Sequence, residues 1–130
     1  MRDNVKVYLL YWLPVLIYCY IIFNFSSRES IRLIPSVSHI DKVLHMIAYG
    51  VLGILLVRAF QKTSTYNRKR IALLAIIFAA IYGISDEIHQ SFVVSRTADI
   101  YDVIFDTLGA AIAVQVYSLL SQKVKKSGIL

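Results

Sequence analysis

Residues 71–92 read IALLAIIFAAIYGISDEIHQSF. The stretch is apolar without a break from Ile71 to Ile84, then turns polar at Ser85-Asp86-Glu87-Ile88-His89-Gln90. Fourteen apolar residues make a helix of only ~21 Å at ~1.5 Å per residue, short of a hydrocarbon core of ~30 Å. The segment therefore spans a bilayer only if its helix continues through the polar end, which carries Asp86, Glu87 and His89 into the outer part of the helix. The same arithmetic applies at Leu108–Leu120, whose thirteen residues are too few unless Asp102 and Asp106 join the helix. The run from Val43 to Phe60 reaches full length only with Val43 to Ala48, and so draws in His45. Val7–Phe25 is long enough unaided, and its Pro14 is tolerated in membrane helices. The prediction is an all-α, four-transmembrane-helix bundle forming one domain over residues 1–130. Its helices lie at about 7–25, 43–60, 71–92 and 101–120. A polar segment Ser26–Lys42 with Pro35, a basic loop Gln61–Arg70 and a short loop around Arg96 join them.

The composition agrees. The chain is 58% hydrophobic and 17% charged, against about 45–50% and about 25% in soluble domains. Its net charge of +6 sits in short clusters between apolar runs, as in a membrane protein, and nucleic acid is not an expected partner. The lone Cys19 lies inside an apolar run and reads as an inert thiol, with no intrachain disulfide and no cysteine metal site. The first apolar run exceeds a signal-peptide core of about 7–15 residues and ends in Asn24-Phe25-Ser26-Ser27 without a small-x-small cleavage pattern, so it is expected to be retained.

Orientation follows from Lys and Arg. With both termini cytoplasmic, ten of the fourteen lie inside: Arg2, Lys6, Arg58, Lys62, Arg68, Lys69, Arg70, Lys123, Lys125 and Lys126. Arg28, Arg32, Lys42 and Arg96 lie outside. Every acid except Asp3, and all three histidines, then fall on the outer half. Acids played no part in setting the topology, so their segregation is a separate observation.

Charges inside a bilayer cost about 2.5–3.5 kcal/mol each at mid-depth and turn toward the bundle interior. The spacing fits that. Asp86, His89 and Gln90 share a face of the third helix with Tyr82 one turn below. Asp102, Asp106 and Gly109 share a face of the fourth, and Asp41, His45 and Tyr49 recur by fours on the second. Gly109, Ala110 and Ala113, with Gly50 and Gly53, are small enough to let helices approach closely. Three interpretations stand side by side. The cluster is a site for a polar headgroup or ligand at the outer face, a packing device whose members satisfy one another, or a metal site built from His45, His89 and carboxylates. No tight motif such as H-E-x-x-H supports the last, so no metal is assigned. His39 reads as a solvated loop residue. Lys42 and Arg58 read as snorkelling cations, and Arg68-Lys69-Arg70 as an anchor to anionic lipid. Trp12, Tyr8, Tyr11, Tyr18 and Tyr20 read as packing and interface aromatics. Ser26, Ser27 and Ser95 are weak nucleophiles with no base placed beside them in sequence.

Four pieces of the chain resemble the VanZ-like family of small bacterial membrane proteins. They are Phe25-Ser26-Ser27, Asp41-Lys42-x-x-His45-x-x-x-Tyr49, Asp86-Glu87-x-His89-Gln90-x-Phe92, and Arg96 leading to Asp102-x-x-x-Asp106-x-x-Gly109. Together they cover roughly residues 25–113. Where this chain has Asp106, family members often carry Asn, which keeps an acceptor oxygen but no charge. The resemblance implies a four-helix, multi-pass protein of the bacterial inner membrane, named for an accessory protein of glycopeptide (teicoplanin) resistance, and hence a cell-envelope role. Asp86, Glu87 and His89 are the candidate acid, base or ligand groups. Asp41, Lys42, His45, Gln90, Arg96, Asp102 and Asp106 are the candidate ligand-binding residues. Arg96 and Lys42 would hold an anionic group, and Asp102 and Asp106 would orient His45 or Arg96. The expected partners are membrane lipid and a cell-wall precursor or glycopeptide, and no cofactor is specified. The alternatives are a membrane-embedded enzyme acting on a lipid-linked envelope substrate and a purely structural scaffold.

Overall fold

The computed structural model describes residues 2–28, 38–94 and 96–126 of the chain. Four helices account for nearly all of them: α1 Arg2–Ser26, α2 Ser38–Thr63, α3 Arg68–Gln90 and α4 Ile100–Lys126. Each holds a stretch long and apolar enough to cross a membrane, namely Val5–Ser26, Lys42–Thr63, Arg68–Gln90 and Ile100–Val124. At ~1.5 Å per residue even the 22-residue stretches reach across a ~30 Å core. The polar ends of α3 and α4 are helical, as the length argument requires.

The boundaries differ from the apolar runs in several places, beginning with α1, which starts at Arg2 and not at Val7. The α2–α3 connection is only residues 64–67, because α2 runs on to Thr63 and α3 starts at Arg68. The Asn67 side chain accepts the Arg70 N–H at 2.9 Å and caps α3, occupying one of the orphan donors of a helix start. α3 stops at Gln90 rather than Phe92, since the Phe92 and Val93 amides bond the carbonyls of His89 and Gln90 in tighter turns. α4 continues to Lys126 on polar residues that extend past the apolar stretch. α2 begins at Ser38, so His39 stands in its first turn and not in a loop. Arg32 and Pro35, like Ser95, lie outside the described residues, as do the side chains of His39 and Asp41.

Neighbouring helices run antiparallel. The N-terminal part of α1 meets the end of α2, where Tyr8 Oη donates to the Thr63 carbonyl (3.1 Å) and Trp12 Nε1 to Thr63 Oγ1 (3.1 Å). The closest approach is between α2 and α4. A Cβ at Gly109 would collide with the Met46 backbone, Gly50 faces Ala113, and Gly53 faces Val114 and Ala110. The small residues thus let two backbones touch, so that packing contacts take the place of a hydrophobic drive that lipid cannot supply. The core between the helices holds Tyr49, Leu52, Leu56, Val57, Ala75, Ala79, Ala110 and Val114. Large apolar side chains such as Leu16, Leu73, Ile81, Ile112 and Leu119 point outward, as a lipid-facing surface requires. α1 is the least enclosed helix, and buries Val15, Ile22 and Ser26. Cys19 is half-buried with a free thiol.

Candidate functional site

The antiparallel order gathers the C-terminal ends of α1 and α3 with the N-terminal ends of α2 and α4. This end carries every described acidic side chain. Asp86, Glu87, Gln90, Asp102 and Asp106 are all buried there, Asp106 completely.

α2 and α4 are joined by a polar clamp. Lys42 Nζ donates to Asp102 Oδ1 at 2.9 Å and to Asp99 Oδ2 at 3.1 Å, and lies 5.7 and 5.6 Å from the Tyr101 and Phe105 ring centres. His45 Nδ1 sits 2.9 Å from Asp106 Oδ1. Gly83 of α3 lies over the other oxygen of Asp106, where a Cβ would come within 3.0 Å. Asp99 precedes α4 and accepts the Tyr101 N–H at 2.9 Å, the bond of an N-cap aspartate. That N–H first, and then the Lys42 ammonium, hold the Asp99 carboxyl below the usual carboxylate range.

α3 pins the segment that leads into α4. Glu87 Oε2 accepts the Asp99 N–H at 2.8 Å. Asp86 Oδ2 accepts from Gln90 Nε2 (3.1 Å), and Gln90 Oε1 accepts from Arg96 Nη1 (3.1 Å). Arg96 Nε donates to the Arg28 carbonyl at 3.2 Å and so ties this segment to α1. His89 stands apart from that chain of bonds. Its Nε2 is 2.9 Å from Ser27 Oγ, and its ring lies 4.4 Å from that of Phe23. Sequence placed no base beside Ser27, but the fold places His89 there.

Between α1, α2 and α3 at this end is a cavity of about 490 Å³. Ser26, His45, Tyr49, Asp86, Gln90 and Arg96 provide its polar lining, and Ile21, Phe25, Leu44 and Ile47 are among its apolar walls. Those four wall residues are also exposed on the outside of the bundle, so the cavity is continuous with the lipid-facing surface. Ser26 Oγ and Tyr49 Oη are buried without a hydrogen-bond partner among the described residues. Leaving a buried polar group unpaired costs about 1–3 kcal/mol, so two such atoms in one cavity wall are notable.

The candidate residues thus divide. Asp86, Gln90, Arg96 and His45 line the cavity. Lys42 and Asp102 are engaged with each other and not with Arg96, while Asp106 holds His45. Glu87 holds backbone, and His89 faces α1. The Asp41 side chain lies outside the described residues. Asp99 and Ser26 gain importance that spacing alone did not give them, and Tyr49, which recurs by fours with His45, enters the cavity wall. The signal for Asp99 was available, as an aspartate just before the apolar run of α4 is a capping residue. Among the described residues no group of three or more His, Cys, Asp and Glu is placed to hold a metal ion.

No curated protein and no solved structure matches the chain. The model of the VanZ/LLP1 family matches residues 5–121, which takes in all four membrane-length stretches except the last residues of α4. With four membrane-length helices and that match over most of its length, the chain is a multi-pass membrane protein that belongs to the VanZ/LLP1 family.

Proposed function

We propose that the chain binds the polar head of a membrane amphiphile, which enters sideways from the bilayer into the cavity between α1, α2 and α3. The observation that carries this reading is the composition of that cavity. Its walls are apolar and continuous with the lipid-facing surface, while Ser26 and Tyr49 present unpartnered buried hydroxyls beside Asp86 and Arg96. A volume of about 490 Å³ is in the range of small-ligand sites. Arg96 spends two of its donors on Gln90 and the Arg28 carbonyl. The rest of its fork is available to a phosphate or carboxylate. Asp86, Ser26 and Tyr49 would receive hydroxyl or amine groups of the same head. Lys42, already held between two carboxylates, takes no part.

The bias of Lys and Arg toward the opposite end supports a reading in which this cavity opens to the outer leaflet of a bacterial cytoplasmic membrane. A lipid-linked cell-wall precursor has the required form, with its phosphate next to its chain. Sequestering or shielding such a precursor is a route to lowered teicoplanin susceptibility, the role for which the family is named.

The enzymatic alternative draws on the Ser27–His89 pair. The Ser27 hydroxyl, however, lies 2.7 Å from the Phe23 carbonyl and is placed to donate to it. The pair also sits at the C-terminal ends of two helices, whose carbonyl dipoles oppose a developing oxyanion. The geometry favours binding over turnover.

The test is the teicoplanin susceptibility of a sensitive host expressing the wild-type chain, Asp86→Asn, Arg96→Gln or Ser26→Ala, with membrane abundance measured for each. Protection by wild type and none from equally abundant variants is the expected result. Protection that survives all three substitutions removes the cavity from the mechanism, and no protection by wild type removes the resistance role.

A further inference from the structure

The opposite, basic end of the bundle holds a second groove between α1 and α2, of about 300 Å³, lined by Leu10, Tyr11, Pro14, Leu55 and Arg58. We infer that this groove binds one anionic phospholipid with a hydroxyl-bearing head, from the leaflet opposite the acidic cavity.

Three observations converge on that ligand. Arg58 lies inside the membrane-length stretch of α2, five residues before its end at Thr63, and makes no hydrogen bond or ion pair with the described residues. The one acid at this end, Asp3, is seven residues before Leu10, or ~10 Å further along α1. A guanidinium placed there needs an anion, and its fork suits a phosphate. Next, Pro14 has no N–H, so the carbonyl of Leu10, four residues earlier in α1, loses its regular helical donor. Leu10 and Pro14 both line the groove, so this carbonyl stands as the proposed acceptor beside the Arg58 cation. A head carrying both a phosphodiester and a hydroxyl answers both. Finally, the depth is right. The bonds from Tyr8 and Trp12 to Thr63 mark the level of an interfacial aromatic belt. Arg58 reaches back toward that level by snorkelling. Lys62 Nζ stands 5.9 Å from the Tyr11 ring centre and adds a second cation at the mouth. Leu55 and Pro14 then line the path of an acyl chain.

Such a site differs from the diffuse attraction of anionic lipid to Arg68-Lys69-Arg70. That attraction is worth about 1 kcal/mol per charge near the surface and does not fix a stoichiometry.

The experiment is native mass spectrometry of the full-length chain released from nanodiscs that contain phosphatidylglycerol, phosphatidylmethanol or phosphatidylcholine. Wild type is expected to keep one phosphatidylglycerol under activation that strips phosphatidylcholine. Arg58→Gln is expected to lose that retention by about tenfold, the size of one charge-assisted contact, while Lys69→Gln keeps it. Pro14→Ala returns an N–H to the Leu10 carbonyl and keeps every charge. It should lower phosphatidylglycerol retention to the level of phosphatidylmethanol, which lacks the hydroxyls. Equal retention of all three lipids by wild type overturns the site. So does equal loss in Arg58→Gln and Lys69→Gln, which would mean diffuse attraction only. A Pro14→Ala chain that still prefers phosphatidylglycerol overturns the carbonyl's part. Far-ultraviolet circular dichroism of each variant separates lost binding from lost folding.

Discussion

Asp99 shows how one carboxyl serves two elements. It caps α4 through the Tyr101 N–H and helps hold Lys42 of α2. Its carboxyl is held below the ordinary carboxylate value, by the Tyr101 N–H first and by Lys42 second. The stabilisation it gives is therefore complete above the unfolded-state value of about 3.9 and fades as pH falls through the lower folded-state value. Asp99→Asn keeps the cap but not the charge. Thermal melts of the detergent-solubilised chain should show this variant less stable than wild type at pH 7, where Asp102 alone still holds Lys42 with a charge. Below about pH 4 the wild type should lose more stability than the variant does. Removal of Lys42 is a different matter, because it leaves buried Asp102 without its cation. Lys42→Met should cost more than the loss of an exposed pair, because Asp102 stays buried, and less than the loss of a fully buried one, because the lysine keeps partial exposure. Chemical or thermal unfolding in detergent would measure that.

Among the elements, α2 and α4 form the rigid half of the bundle and α1 the loose one. The rigidity depends on Gly109, against which the Met46 backbone lies with no room for a Cβ. Gly109→Ala should force the two helices apart and cost about 1–3 kcal/mol or more, as overpacking does. Gly50→Ala should cost less, because its Cβ would meet Ala113 Cβ at 3.3 Å and a small shift relieves it. A comparison of the two melting temperatures decides the point, and equal losses would contradict the α2–α4 contact as described. α1 borders the acidic cavity and is held by side-chain bonds to backbone carbonyls, such as Tyr18 Oη to Ala48 O (3.1 Å) and Tyr82 Oη to Cys19 O (2.7 Å). Tyr82→Phe removes one of these without changing shape. It should increase deuterium uptake of α1 amides near Cys19 while those of α4 stay protected.

For the whole molecule, the segregation of charge is the organising feature. Acidic side chains meet at one end, where they pair, cap and line a cavity, while most Lys and Arg stand at the other. A periplasmic reporter joined after Arg96 should be active, and one joined within the α2–α3 connection after Tyr66 should be silent. The reverse pattern would move the acidic cavity to the cytoplasmic leaflet and the Arg58 groove to the outer one. Both proposed sites lie between α1 and its neighbours, one at each end. Those boundaries are where a bundle with one loosely held helix can admit lipid.

The number of helices, their antiparallel order and the helical state of Asp86, Glu87, Asp102 and Asp106 were legible in the amino-acid order alone. Bilayer thickness sets a minimum length that Ile71–Ile84 and Leu108–Leu120 cannot meet without their polar neighbours. Small residues at Gly109, Ala110 and Ala113 likewise announced a close helix contact. Which polar groups meet across helices was legible only for Asp106 and His45, because spacing gives the face of one helix but not the rotation of its partner. That rotation pairs Lys42 with Asp99 and Asp102 instead of leaving it for an anion, and sets His89 against Ser27. It also opens a cavity beside Ser26 and Tyr49, two hydroxyls that in sequence read as a weak nucleophile and as one of the residues recurring by fours on α2. A cavity is a property of three helices at once, and only their packing decides where it lies.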